Sequence, residues 1–320
     1  MNIFLWISLI ILSIDTVLCL EKEEEQGLAK IKEMQNKKAN GIQYSLLNIT
    51  GLDNFDKTTH RTPLMDAAYY DDYEEVENFC KAGSNIELIS PLDGSTALMI
   101  ASSRNNDKSV KALIEAGAII DKKTKAGKSA LSIAVISRFY ESTEELLNGG
   151  ADANQKFRDH QSILMLACAG GGGSDIVKLL IEHGADMHEI DDFGNTAIMF
   201  AAIAGDIDSI HVLFSFSASK TIINHQNNDG KTALMFAASR DHVNVLKSLI
   251  DYGAKLDLKE KHGYSAIKIA SETSKIESFN MLAIEGADLT HLSGRYIPKD
   301  VRKKRLTRQK EKMTLKVEDL

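Results

Sequence analysis

The sequence predicts an all-α repeat solenoid, a stack of helix-turn-helix units joined by extended finger loops, and three observations carry the prediction. The phrase Gly230-Lys231-Thr232-Ala233-Leu234-Met235-Phe236-Ala237-Ala238 returns six more times, opening on Thr62, Thr96, Ser129, Ser162, Thr196 and Ser265 besides Thr232. Successive gaps are 34, 33, 33, 34, 36 and 33 residues, and a fixed period in this range marks a stacked array rather than one globular core. Each copy except the fifth closes on an apolar helix end followed by Gly-Ala-Asp or a relative, as in Gly150-Ala151-Asp152 and Gly184-Ala185-Asp186; the fifth has Ser217-Ala218-Ser219 instead. Composition agrees: 43% of residues are hydrophobic but only 6% aromatic, and the single Trp is Trp6. Closely stacked helices need Ala and Gly at their contacts, so this composition suits a solenoid better than a sandwich or barrel.

The two phrases together resemble the ankyrin repeat over roughly residues 40 to 291. The family's Thr-Pro-Leu-His keeps its Pro only at Pro63, and its His is replaced by Met65, Met99, Ser132, Met165, Met199, Met235 and Lys268. Neither departure threatens the fold. Pro at the first helical position is favourable but not required, and Met fills irregular interiors well.

Four regions are expected: residues 1–20 as a leader, 21–57 as a degenerate N-terminal capping repeat, 58–291 as seven repeats, and 292–320 as a basic C-terminal cap or tail. The leader carries an apolar run from Ile3 to Ile14 and then meets Glu21-Lys22-Glu23-Glu24-Glu25, which reads as a secretory signal peptide. Val17 and Cys19 give the small-residue spacing before a cut near Cys19-Leu20, although no Lys or Arg precedes the run and Asp15 interrupts it. A retained membrane anchor is the competing reading, with a run shorter than the ~20 apolar residues a span needs. Acylation at Cys19 is a third reading, opposed by Leu18. The expected location is secreted or periplasmic, or membrane-anchored if the leader stays. Leu28, Ile31 and Met34 form a thin stripe in the charged segment that follows, as suits a cap with a polar outer face. Asn48-Ile49-Thr50 is a glycosylation sequon, a triplet that arises often by chance.

Within each repeat the Thr or Ser caps the first helix, its hydroxyl accepting from an orphan backbone N–H. Leu98, Ile100 and Ala101 mark that helix's buried stripe, and Val110, Leu113 and Ile114 mark the stripe of the second. The Gly that ends the second helix supplies the left-handed turn into the finger. Insertions fall in loops: one residue within Glu87–Gly94, one Gly in Gly170–Gly173, and three in Lys220–Asn224. Ser217 makes the fifth repeat the expected weak seam. Cys80 and Cys168 are read as packing residues in separate repeats, too far apart for a disulfide. Residues 295–320 hold ten Lys or Arg against four acids, a net +6 that leaves −13 on the remainder of a chain whose net charge is −7. The bland reading is a solvated helix capping the last repeat; Arg302-Lys303-Lys304-Arg305 also matches a nuclear or nucleic-acid patch, which the leader contradicts, and an anionic membrane surface is the third reading.

The sequence offers little for chemistry. Gly170–Gly173 follows a helix and lacks the Gly-Lys-Ser/Thr ending of a phosphate cradle. His183 and His188 have no third ligand at plausible spacing, and no nucleophile sits in a strand-to-helix elbow. No catalysis, cofactor or metal is expected, which leaves recognition of a protein partner. The family resemblance implies a concave surface built from finger tips and exposed positions of the first helices. Carried onto this sequence, those positions are Arg61, Tyr69, Tyr70, Arg104, Lys125, Arg158, Asp192, Phe193, Asn228, Arg240 and Tyr264. Aromatic and Arg side chains are the usual interface anchors. Tyr69-Tyr70-Asp71-Asp72-Tyr73 carries most weight, since three Tyr among acids at a helix end show no packing need in the sequence.

Overall fold

The computed structural model of the chain describes residues 52–171, 173–216, 222–290, 292 and 297–318. The leader, most of the expected capping repeat, the sequon, Ser217 and part of the 220–224 insertion lie outside these. Fourteen helices alternate between two layers. The first layer holds α1 (Pro63–Tyr69), α3 (Ala97–Ser102), α5 (Ala130–Ile136), α7 (Ile163–Gly170), α9 (Ala197–Ala204), α11 (Ala233–Arg240) and α13 (Ala266–Glu272). The second holds α2 (Tyr73–Lys81), α4 (Asp107–Glu115), α6 (Tyr140–Asn148), α8 (Ser174–Glu182), α10 (Ile207–Phe216), α12 (Val243–Asp251) and α14 (Ile276–Glu285). A last helix, α15 (Lys299–Glu318), follows. Between repeats run fingers with no strand among the described residues beyond a single bridge between Lys156 and Ser162.

Each first helix begins at the Thr or Ser read from the sequence. The hydroxyls of Thr62, Thr96, Ser129, Ser162 and Thr232 accept from the backbone N–H three residues on, and at Ser129 the Ser132 hydroxyl accepts in return, completing a reciprocal box. Thr196 and Ser265 occupy the cap position without that bond. The three positions after each cap are buried, as in Ala197-Ile198-Met199, save half-buried Pro63 and Lys268, and so are the fifth and sixth, as in Ala201-Ala202. Met65, Met99, Met165, Met199 and Met235 are all nearly inaccessible. They lie one above another where flexible side chains fill the space between layers. Second helices end in left-handed glycines such as Gly253, φ 96°, the geometry that turns the chain outward.

Two sets of polar side chains tie each repeat to the next, and neither is evident from the apolar pattern. Behind the fingers, Asp53, Glu87, Asp121, Asn154, Asn224 and Asp257 accept from backbone N–H groups of the following repeat, for example Asp288 N to Asp257 Oδ1 at 2.8 Å. In the inter-helix turns, Asp71, Asn105 and Asp241 adopt positive φ and accept from Ser109, Ser142 and Ser278 at the start of the next second helix. At the finger bends, Gly194 permits a close approach: a Cβ there would lie 2.6 Å from Asn228 Oδ1. His60 and His160 take the corresponding slot with φ 53° and 55°, conformations that glycine adopts without cost.

The basic segment packs on the final repeat. Val301 of α15 is buried, and Arg305 donates to the carbonyl oxygens of Ala283, in the last turn of α14, and Ala287, just past its end, at 2.9 and 3.0 Å. Arg308 pairs with Glu285 at 3.1 Å. Cys168 is buried and Cys80 half-buried, so Cys80 is less enclosed than its sequence slot suggests. Burial, reinforced by Asp206, raises the Cys168 thiol well above its ordinary range; burial and then Glu77 raise Cys80 to a lesser degree.

Three measurements test this packing. Ala201→Asp or Ala237→Asp, each placing an unpaired charge at a fully buried site, is expected to remove at least about 3 kcal/mol and to unfold several repeats together; an unchanged circular-dichroism melt would refute the stacking register. Arg305→Ala is expected to cost about 2 kcal/mol by leaving charge-assisted bonds unmade, read as a lower urea midpoint. Of Cys80 and Cys168, Cys80 is expected to react slowly with a disulfide reagent near neutral pH and faster as pH rises through its elevated range, because the thiolate is the nucleophile; Cys168 reacts only on unfolding.

Candidate interaction surface

Neighbouring first helices approach each other more extensively than neighbouring second helices at most steps of the stack, so the first-helix layer lies on the inside of the curve. On the first helices the fourth and seventh positions after the cap remain at the surface, Ile100 of repeat 2 excepted, because helical residues three apart share a face and the opposite side is consumed by stacking. In repeats 3 to 6 the large apolar residues at these positions are Ile133, Ile136, Leu166, Phe200, Ile203 and Phe236, with Ala169 and Ser239 completing the set, and in repeat 7 the fourth is Ile269. These large apolar side chains are half-buried except Ile136, which is 45% exposed. The sequence list of anchors missed this row. Its signal was present as a large apolar residue immediately before the Ala that all seven phrases share.

The expected anchors fall into three places. Arg61, Tyr69, Tyr70 and Arg104 converge at the N-terminal end. The Arg61 side chain runs along the inner face of α1, passes Asp66 at 3.8 Å and lies over the Tyr69 ring at 3.8 Å from its centroid. Arg104, from the next repeat, lies over the same ring at 4.7 Å. Tyr70 meets Tyr69 edge to face with centroids 4.9 Å apart. Burial, and secondarily Asp66, raises the Tyr70 phenol above its ordinary value. These four are half-buried rather than exposed, and Tyr69 and Tyr70 do have a packing role; of the three Tyr, Tyr73 is the exposed one, beneath Lys108.

Lys125, Arg158, Asp192, Phe193 and Asn228 lie exposed on successive finger tips. Their backbones are laced together: Lys125 N donates to Asp93 O at 3.1 Å, Asp192 N to Asp159 O at 3.0 Å and Asn228 N to Phe193 O at 2.9 Å. Asp192 also pairs with His160 at 2.8 Å, and Lys125 Nζ donates to Pro91 O at 2.8 Å. Tyr264 is exposed at the last finger beside Lys268. Arg240, at the far end of α11, stands at the opposite edge of the inner face and does not join the tips.

The dihistidine stretch is accounted for by structure. His183 closes α8, with Nδ1 2.9 Å from Leu179 O, and His188 lies 3.2 Å from Asp186. Among the described residues no group of three or more His, Cys, Asp or Glu gathers in a way that could hold a metal ion, and no helix is long and apolar enough to cross a membrane.

A family model for ankyrin repeats, three copies per match, fits residues 64–157, 141–222 and 212–292. The chain belongs to the ankyrin-repeat family. Human SH3 and multiple ankyrin repeat domains protein 2 is 32% identical over 213 residues, 63% of this chain and 12% of its own length. Potassium channel AKT2/3 of Arabidopsis thaliana is 29% identical over 121 residues, covering 38% and 14%. Human neurogenic locus notch homolog protein 1 is 27% identical over 152 residues, covering 47% and 6%. This chain therefore spans only a small part of the length of these relatives. The human ASB11 ankyrin repeat domain superimposes with a TM-score of 0.62 at 25% identity, covering 71% of this chain and 99% of that one. The ankyrin fold and these relatives indicate a protein-interaction scaffold.

Proposed function

We propose that this ankyrin array is a non-catalytic scaffold, exported from the cell that makes it, which holds a protein partner along its inner face. The observation behind this reading is the row from Ile133 to Ile269, left half-covered while the slots beside it are fully buried. Buried neighbours fix each first helix, so the row is rigid and costs little to order on binding. Export rests on the apolar leader alone. The tethered alternative, in which an uncleaved leader holds the array at a membrane, draws on the exposed Arg302, Lys303 and Lys304 of α15, each contributing about 1 kcal/mol near an anionic surface.

A photo-reactive amino acid placed at Ile136 on the inner face and, separately, at Lys111 on the outer face of α4 tests the surface in the native cell. Cross-linked product from Ile136 alone is expected; product from Lys111 alone would reverse the assignment. The mass of the same recovered chain tests the leader, a loss of about 20 residues being expected and an intact Met1 in the membrane fraction favouring the tether.

A further inference from the structure

Charge is divided between the two layers. The seven second helices carry fourteen Asp or Glu against five Lys or Arg, whereas the seven first helices carry two of each. The outer layer therefore accounts for much of the negative charge, and the inner face is bordered by cations on both sides. Arg61, Lys125 and Arg158 stand along the finger edge, and Arg104, Arg138 and Arg240 along the edge of the inter-helix turns. Among the acids on this side, Asp192 pairs with His160 and Glu272 with Lys268 at 2.6 Å, Asp66 lies 3.8 Å from Arg61, and Asp93, Asp159 and Asp229 stand at the tips.

We propose that the occupant of the inner face is an acidic and apolar segment of a partner protein, with a carboxylate received by Arg104 and Arg61 at Tyr69 and apolar side chains laid along the Ile136, Phe200 and Phe236 row. The inference rests on the scaffold reading and adds the partner's chemistry. Arg104 is held against Tyr69 with no carboxylate pairing to it among the described residues. A guanidinium pre-positioned on an aromatic face retains its fork of donors for a bidentate carboxylate and loses little freedom when one arrives. Arg61 is a second cation over the same ring, and its Asp66 contact at 3.8 Å is longer than a hydrogen bond. A negatively charged partner would be repelled by the outer layer and drawn to the inner one, so the charge division steers encounter as well as binding. With helices stacked at about 10 Å, the path from repeat 1 to repeat 6 is about 50 Å, matched by about 16 extended residues.

The test is selection from a phage library of random peptides, each about 16 residues long, against the full chain, followed by fluorescence anisotropy with the enriched peptides. Sequences combining Asp or Glu with Leu, Ile or Phe are expected, with affinity falling about tenfold between low and high salt, about tenfold or more in Arg104→Ala, and similarly in Phe236→Ala. Circular dichroism of each variant checks that the array is intact. Enrichment of basic or wholly polar peptides whose binding still falls in Phe236→Ala would overturn the acidic-partner inference and leave the inner-face scaffold standing. Peptides unaffected by either substitution, or no enrichment, would overturn both.

Discussion

Every helix of the array proper is six to ten residues long, below the length at which an isolated helix persists in water. None of them can form by itself, so each must be completed by a neighbour, and the contact that completes it is the close approach of small side chains. Ala67-Ala68, Ala201-Ala202 and Ala237-Ala238 are almost wholly inaccessible, and they let adjacent first helices meet backbone to backbone while Leu and Met project between layers. A fully buried Leu or Met contributes about 1.5–3 kcal/mol, and each repeat supplies several, so stability accumulates along the stack as a sum of nearest-neighbour terms.

Apolar stacking alone does not fix how one repeat is rotated against the next. That task falls to the acceptors that reach across each seam: Asp257 to the backbone N–H of Asp288 behind the fingers, Asp241 to Ser278 between the helices, and the Phe193 carbonyl to the Asn228 N–H at the tips. A slip in register would break all three, and at the part-buried Asp241–Ser278 pair the unmade bond would cost about 1–3 kcal/mol. The same rigidity keeps Arg61 and Arg104, from different repeats, over one tyrosine ring.

The architecture was legible because the repeat states it seven times: cap, buried triplet, small pair and terminal glycine recur at fixed offsets, and the helices begin where Thr62 through Ser265 place them. The surface was legible only in part. Finger residues such as Lys125 and Phe193 could be placed by offset from the next cap, but Tyr69 looked purposeless until Arg104, 35 positions away, was seen to lie on it. The apolar row escaped notice because a hydrophobic residue inside a hydrophobic helix gives no sign of which way it faces. Only the buried pair after Phe200 and Phe236 settles that direction. The seam acceptors escaped it too, since Asp and Asn four residues past a glycine look like ordinary loop residues until the next repeat supplies their donors.

The docking of α15 has a consequence for how such a chain behaves in bulk. A stack of like units ends in a face that another unit of the same kind could cover, and head-to-tail contacts of that sort build rings where the rotation closes and filaments where it does not. Arg305, bonded to the carbonyls of Ala283 and Ala287, and buried Val301 occupy that face with a helix of different character. A further unit of the same kind could stack on that face only by first displacing α15.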